Sequence, residues 1–126
     1  MKQMSVKYAD RADFLTIYIK EAHPSDGNQK DSNVEQGVCY LQPKTIVDRL
    51  AIVGDFISRF QYAIPLVVDP MENPAELAFG GWPERLYIIG ADGRIALQGG
   101  EGPKYFAPAE VAAWLEVRPP TPAKAD

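Results

Sequence analysis

The segment FLTIYIKEAHPSDG, residues 14–27, carries the strongest structural signal of this chain. Its first six residues, 14–19, are β-branched, aromatic or aliphatic and place apolar side chains on both faces. This composition is typical of a strand in an α/β sheet that is covered on both sides. His23, the only histidine of the chain, follows directly, and Glu21 precedes it by two positions. The sequence therefore predicts a buried strand whose exit carries a glutamate and a histidine.

The segments on either side of this strand alternate between helical and extended patterns. The expected elements are helical turns over 1–12, a long loop over 24–44, a helix over 46–60 capped by Thr45, a strand over 64–69, a short helix and turn over 71–83, strands over 85–90 and 94–99, and a helix over 108–117. Asp92-Gly93 between the last two strands predicts an antiparallel hairpin. The order β-α-β-α-β-β-α predicts an α/β sandwich with a mixed sheet.

The apolar spacing in 46–60 predicts which face of that helix is inward. Ile46, Leu50, Val53 and Ile57 fall on one stripe at helical spacing. Such a stripe is expected to face the core.

Composition limits the classes of function. The chain has 126 residues, 46% of them apolar, which favours one domain over 1–118 with a disordered Pro-rich tail over 119–126. The net charge of −4 and the absence of a basic run argue against nucleic acid as a partner. No apolar run approaches the roughly 18 residues of a membrane span, so we expect no membrane and a cytoplasmic protein. One cysteine forms no internal disulfide, and one cysteine with one histidine builds no usual transition-metal site.

Four motifs in a fixed order resemble the iodothyronine deiodinase family, in particular its bacterial members. They are ADFLTIYIKEAHPSDG (12–27), IPLVVDPMEN (64–73), WPERLYIIGADGRI (82–95) and GGEGPKYFAPAEVAAWLE (99–116). The resemblance covers the chain from about Tyr8 to Glu116.

This resemblance implies a thioredoxin-like fold, with a cis bond before Pro83. In the family a selenocysteine or cysteine follows the first core strand, and no such segment is found in residues 1–12. We therefore expect a chain without its first β-α unit and without its own nucleophile. Strands 14–19 and 85–90 would then each have an unpaired edge. The two edges could close on each other, a second copy could dock, or an upstream segment could pair; of these we expect a homo-oligomer.

The resemblance also implies roles for the residues after the first strand. Its glutamate and histidine, here Glu21 and His23, handle protons beside the nucleophile. Residues two apart on a strand share a side, so Glu21 could also hold the tautomer of His23. Alternatively, His23 bonds only to loop backbone. Ser25 and Asp26 either contact substrate or stabilise the turn, and Cys39 is the only local thiol, with an inert, packing cysteine as the alternative.

A second set of candidate substrate contacts lies near the hairpin. It comprises Trp82, Pro83, Arg85 and Glu101. The alternative for Trp82 is core packing, and for Arg85 an ion pair with Asp69 or Glu21. Vertebrate deiodinases carry an arginine where this chain has Glu101, and an acid there would repel a carboxylate-bearing ligand.

Two functions follow as hypotheses. The first is a deiodinase-like redox protein, acting by thiol- or selenol-type reductive dehalogenation of a small aromatic or halogenated substrate, or by a related oxidoreduction. It would need no cofactor beyond a thiol reductant as co-substrate. The second is a non-catalytic module of the same fold that binds a small molecule or assembles into oligomers.

Overall fold

The computed structural model describes residues 1–120 and forms an α/β fold, as predicted. Within this range the chain contains five helices and four strands. They are α1 (Lys2–Lys7), β1 (Thr16–Tyr18), α2 (Asp31–Glu35), α3 (Ile46–Phe60), β2 (Leu66–Val68), α4 (Pro74–Phe79), β3 (Tyr87–Ile89), β4 (Ile95–Gln98) and α5 (Pro108–Glu116). Of the tail over 119–126, for which disorder was predicted, residues 121–126 lie outside the described part.

The strands form two separate two-stranded sheets. β1 and β2 are parallel, with Ile17 opposite Val67, and β3 and β4 are antiparallel, with Ile88 opposite Leu97. The predicted antiparallel hairpin is confirmed. The expected single mixed sheet is not found, because within residues 1–120 no strand connects β1 to β3 and the two do not pair directly.

Several elements are shorter than their sequence patterns. β1 covers three of the six residues in 14–19, and α1 ends at Lys7 rather than near Ala12. The long loop over 24–44 contains the unpredicted helix α2. Helix boundaries depend on the hydrogen bonds formed at each end, which an apolar pattern does not specify.

Helix α3 begins and ends where the sequence predicts. The side chain of Thr45 accepts a hydrogen bond from the Asp48 amide, and the Asp48 carboxylate accepts one from the Thr45 amide. This capping box satisfies two amides that would otherwise lack partners at the helix start. Gln61, in the left-handed conformation at φ 45°, ends the helix.

The predicted inward face of α3 is partly wrong. Val53 is buried as expected, but Ile46, Leu50 and Ile57 are exposed. The other buried side chains of the helix are Arg49 and Ile52. The inward face is therefore turned toward Arg49, because this guanidinium has hydrogen-bond acceptors beneath it at the end of β2.

A hydrophobic core joins the two ends of the chain. Its buried members are Tyr8, Val111 and Leu115. Partly buried side chains pack around them, namely Met4, Ala12, Phe14, Leu86, Ile88, Leu97, Ala112 and Trp114. The Tyr8 hydroxyl donates to Glu116 at 2.7 Å, which fixes the segment after α1 against α5. Through this core the hairpin packs against Tyr8 and against α5.

The turn from β2 into α4 is organised by one buried carboxylate and one buried guanidinium. Asp69 accepts hydrogen bonds from the amides of Ala75 and Glu76, in the first turn of α4. Arg49 donates to the carbonyl of Asp69 at 2.7 Å and to the side chain of Asn73 at 3.0 Å. α3 and α4 are thereby held together beside the carboxyl ends of β1 and β2.

None of the helices in residues 1–120 combines the length and apolar character needed to cross a bilayer.

Candidate functional site

His23 is held by the backbone of its own loop. Its Nδ1 lies 2.8 Å from the carbonyl oxygen of Asn28. A carbonyl only accepts hydrogen bonds, so Nδ1 carries a proton and the neutral ring offers Nε2 as its basic nitrogen. The structure thus contains the loop-backbone contact that was the predicted alternative for His23.

Glu21 is positioned through its backbone by Gln42. The Glu21 amide donates to the Gln42 side chain at 3.1 Å, and the Gln42 amide group donates to the Glu21 carbonyl at 3.0 Å. Burial raises the pKa of the Glu21 carboxyl, and the charges of Arg49 and His23 oppose this rise.

Glu21 does not set the tautomer of His23. Across the described residues no hydrogen bond joins the two side chains, and Asn28 takes the role that was expected of Glu21. The reason is that the chain leaves β1 at Tyr18, so the alternation of a strand does not extend to positions 21 and 23.

Ser25 and Asp26 join two parts of the long loop. The Ser25 amide donates to the Tyr40 carbonyl at 2.8 Å, and the Asp26 carboxylate accepts from the Gln42 amide at 2.9 Å. Neither is the local side-chain bond expected of a turn, because Ser25 uses its backbone amide and Asp26 contacts a residue 16 positions away. The two bonds bring the segment after β1 against residues 40–42.

Cys39 lies in this loop cluster and is exposed. Its sulfur accepts a hydrogen bond from the Gln29 side chain at 3.5 Å. Glu21, His23, Ser25, Asp26 and Cys39 therefore lie in one region of the molecule, although no hydrogen bond within residues 1–120 joins Cys39 to His23.

The second set of candidates lies around the Gly-rich loop before α5. The bond between Trp82 and Pro83 is cis, as the resemblance implied. Arg85 donates to the carbonyls of Gly99 at 2.8 Å and Gly80 at 3.3 Å. The expected ion pair of Arg85 with Asp69 or Glu21 is therefore wrong, since Arg85 ties the hairpin to neighbouring loops through backbone oxygens.

Glu101 lies at the other side of the same loop. Its side chain is exposed, and its carbonyl accepts a hydrogen bond from the Tyr105 amide at 3.0 Å. No hydrogen bond within residues 1–120 connects Glu101 or Arg85 to Glu21 or His23, so the two sets of candidates are not joined directly.

Lys20 provides an unpredicted link between the two sets. Its ammonium group lies 2.9 Å from the buried carboxylate of Glu76 and 5.6 Å from the ring centre of Trp82. Trp82, 41% exposed, is consequently fixed beside the residues that follow β1. The core-packing alternative for Trp82 is not supported at this exposure.

Gln42, Lys20 and Glu76 are the organising residues that sequence reasoning missed. Each contacts a residue more than 15 positions away. A single amide or charge in a polar segment has no periodic signal, so only the path of the loops could have identified them.

In the part of the chain that the structure describes, no three His, Cys, Asp or Glu side chains cluster in a way that could hold a metal ion.

Comparisons with known proteins agree with the motifs. A family model described as iodothyronine deiodinase matches residues 1–118. Thyroxine 5-deiodinase of Sparus aurata is 41% identical over 112 residues, covering 87% of this chain and 39% of the relative. Thyroxine 5-deiodinase of Gallus gallus is 36% identical over 117 residues, covering 91% of this chain and 43% of the relative. The chain thus spans about two fifths of the length of these curated relatives.

Proposed function

We propose a redox function from the premise that this chain belongs to the iodothyronine deiodinase family. The reaction is reductive dehalogenation of a small aromatic substrate by a thiol or selenol, or a closely related oxidoreduction. The observation that carries the proposal is the geometry of His23, whose Nδ1 is held by Asn28 while Nε2 is left for proton transfer. Glu21 lies in the same loop region, with the higher pKa that burial gives it.

The proposed chemistry has two stages. A thiolate or selenolate takes the iodine, the electron pair of the carbon–iodine bond stays on carbon, and His23 in its imidazolium form protonates that carbon through Nε2. A thiol reductant then attacks the sulfur or selenium, releases iodide and leaves a mixed disulfide or its selenium equivalent. A second thiol regenerates the nucleophile and leaves as part of a disulfide.

The nucleophile in this proposal is not one of the residues of this chain, as the resemblance implied. Cys39 is the one thiol available, and its exposure makes it the competing candidate. The Cys39→Ser variant separates the two. Loss of the wild-type activity in Cys39→Ser would assign the attack to Cys39. It would overturn the proposal that the nucleophile comes from outside this chain.

The test is iodide release from an iodinated phenol with dithiothreitol and, in a second arm, an added small selenol. We expect His23→Ala to lower iodide release at least tenfold relative to wild type, because proton delivery contributes about 10²–10⁴-fold in enzymes. Lys30→Ala, an exposed change in the same loop, is the matched control. Equal rates in His23→Ala and wild type would remove His23 from the mechanism.

A second candidate function, a non-catalytic module that assembles with a second copy, is favoured by the outer edge of β1. Ile17 and Val67 are register partners and remain 38% and 47% exposed. An unpaired strand edge beside apolar side chains favours docking of another strand. We propose that this strand belongs to a second copy of the chain.

Sedimentation velocity tests this assembly. Ile17→Lys should shift the protein from dimer to monomer, whereas Val34→Lys, at a more exposed apolar position on α2, should not. A monomeric wild-type protein at the highest concentration reached would exclude the second candidate.

A further inference from the structure

A cavity of ≈ 230 Å³ lies between the exit of β1, the loop before α3 and α3 itself. Its lining, which we call the aromatic cavity, comprises Tyr18, Glu21, Val38, Tyr40, Ile52, Phe56, Arg59 and Phe60. Half of these side chains are aromatic, and none belongs to the hairpin set around Trp82.

The walls of the aromatic cavity favour a flat, apolar occupant. The rings of Phe56 and Phe60 are tilted at 51° with centres 5.3 Å apart, so they present both a face and an edge. Aromatic rings prefer such offset and tilted contacts with one another, and a ligand ring can continue the arrangement. The Tyr40 hydroxyl donates to Asp55, which leaves the Tyr40 ring as a wall.

The two charged side chains of the lining differ in their capacity for hydrogen bonds. Arg59 donates to the backbone carbonyls of Gln36 and Gly37, so its guanidinium is already engaged. The Glu21 carboxyl accepts no hydrogen bond from any residue in 1–120. The pKa of Glu21 is raised chiefly by burial, in agreement with a carboxyl that lacks such bonds. Of the two charged side chains, Glu21 is therefore the one that offers a free acceptor, and the buried Tyr18 hydroxyl of the same lining is the other group without a hydrogen-bond partner within residues 1–120.

Size and charge restrict the ligand further. An apolar cavity of about 150 Å³ accommodates benzene, so the larger volume here fits one ring or two small fused rings. A cationic ligand would meet the charges of Arg59 and nearby Arg49, and an anionic one would meet Glu21. An uncharged ligand avoids both penalties.

We propose that the aromatic cavity binds a small, uncharged aromatic molecule through one N–H or O–H group donated to the Glu21 carboxyl, with its ring among Tyr18, Tyr40, Phe56 and Phe60. This site is separate from the His23 side chain in its lining, and binding requires no reductant, nucleophile or turnover. The site shares Glu21 with the proposed redox function but adds a binding activity to it, and this binding is measured without turnover.

The probe is indole, compared by isothermal titration calorimetry with indene, which has nearly the same shape but a CH₂ group in place of the N–H. Wild-type protein should bind indole about three- to tenfold more tightly than indene, the effect of one hydrogen bond. Glu21→Leu should abolish this preference, whereas Glu21→Gln, which keeps an acceptor oxygen, should retain it. Glu35→Leu, the same change at an exposed position of α2, is the matched control and should leave both affinities as in wild type.

A filled cavity gives a second, independent arm. Val38→Trp places a large ring in the space and should prevent binding of both ligands, with circular dichroism confirming that the variant remains folded. Equal affinities for indole and indene in wild type would overturn the proposal, as would a preference that survives Glu21→Leu or binding that survives Val38→Trp. Because no step involves dehalogenation, the binding results can be interpreted even if the protein releases no iodide. Likewise, the iodide-release test can be interpreted even if neither indole nor indene binds.

Discussion

The two sheets differ in the side chains that pack against them. On the hairpin side, Leu86, Ile88 and Leu97 pack against a core in which Tyr8, Val111 and Leu115 are only 4%, 6% and 2% exposed. Beside the β1–β2 sheet, by contrast, α3 buries the charged Arg49 together with Ile52 and Val53. Each sheet also keeps apolar side chains in part exposed, Ile89 and Ile95 at 51% and 53% in the hairpin and Ile17 and Val67 at 38% and 47% in the other sheet. The candidate proton-handling residues follow β1, so the purely apolar core and the candidate chemistry lie in different parts of the chain.

The largest expected effect on the free energy of unfolding is at the core around Leu115. Leu115→Ala should lower the free energy of unfolding by about 2–5 kcal/mol, because it removes a buried side chain and leaves a cavity. Val67→Ala removes apolar atoms from an exposed surface and should cost less than about 1 kcal/mol. Urea unfolding of the two variants measures both. Similar losses would show that Val67 in β2 is packed as tightly as Leu115 in the core at α5.

The next effect concerns the buried charge that α3 places at the end of β2. Arg49→Leu should cost about 2–4 kcal/mol, because the buried carbonyl of Asp69 and the partly buried oxygens of Pro70 and Asn73 lose their donor. Arg94→Leu, at an exposed hairpin position, is the control and should change stability by no more than about 0.5 kcal/mol. A small effect of Arg49→Leu in urea unfolding would mean that the acceptors find other donors.

A smaller effect is expected at the start of α3. Thr45→Ala removes the capping hydrogen bond to the Asp48 amide and should cost about 1 kcal/mol. Thr45→Ser keeps the hydroxyl and should recover most of that loss in thermal unfolding. Equal losses in the two variants would assign the effect to the methyl group instead of the cap.

The smallest expected effect on the free energy of unfolding concerns Glu21, after the end of β1. The pKa of Glu21 is raised in the folded protein, mainly by burial, so the folded state binds the proton more tightly than the unfolded state. Stability therefore falls as the pH rises from the unfolded pKa through the folded one, and remains lower above it. Glu21→Gln should be more stable than wild type at neutral pH, and this advantage should disappear at pH values below the unfolded pKa.

Urea unfolding of wild type and Glu21→Gln at a series of pH values measures this difference. The other carboxyls titrate in both proteins, so the comparison isolates Glu21 together with its neighbours Arg49 and His23. An advantage of Glu21→Gln that is independent of pH would contradict a raised pKa.

The sequence predicted those features that depend on neighbouring residues. α3 was located because Thr45 and Asp48 cap it locally, and the hairpin because Asp92-Gly93 joins two apolar segments. α2 was missed because it has only five residues and no apolar spacing, and because its C-terminal end is held by Arg59 from another helix.

In the candidate site, too, the features set by neighbouring residues could be predicted and those set by distant residues could not. His23 and Glu21 could be identified from their position after an apolar strand. Their actual partners, Asn28 and Gln42, depend on how the loop folds back, which no pattern encodes. The inward face of α3 was misjudged because a buried arginine is an exception to apolar spacing. The oxygens that accept hydrogen bonds from the buried Arg49 lie 20 to 24 positions away in the sequence.

The two tryptophans fall one in each region. Trp82 lies beside the Lys20 ammonium near the exit of β1, whereas Trp114 packs against the terminal core with Arg118 3.7 Å from its ring centre. The chain therefore carries one indole where the segment before the hairpin meets the exit of β1, and one at the core beside α5. Replacing either indole by phenylalanine leaves a single tryptophan, whose emission, excited at wavelengths that tyrosine does not absorb, would follow the events around that one indole.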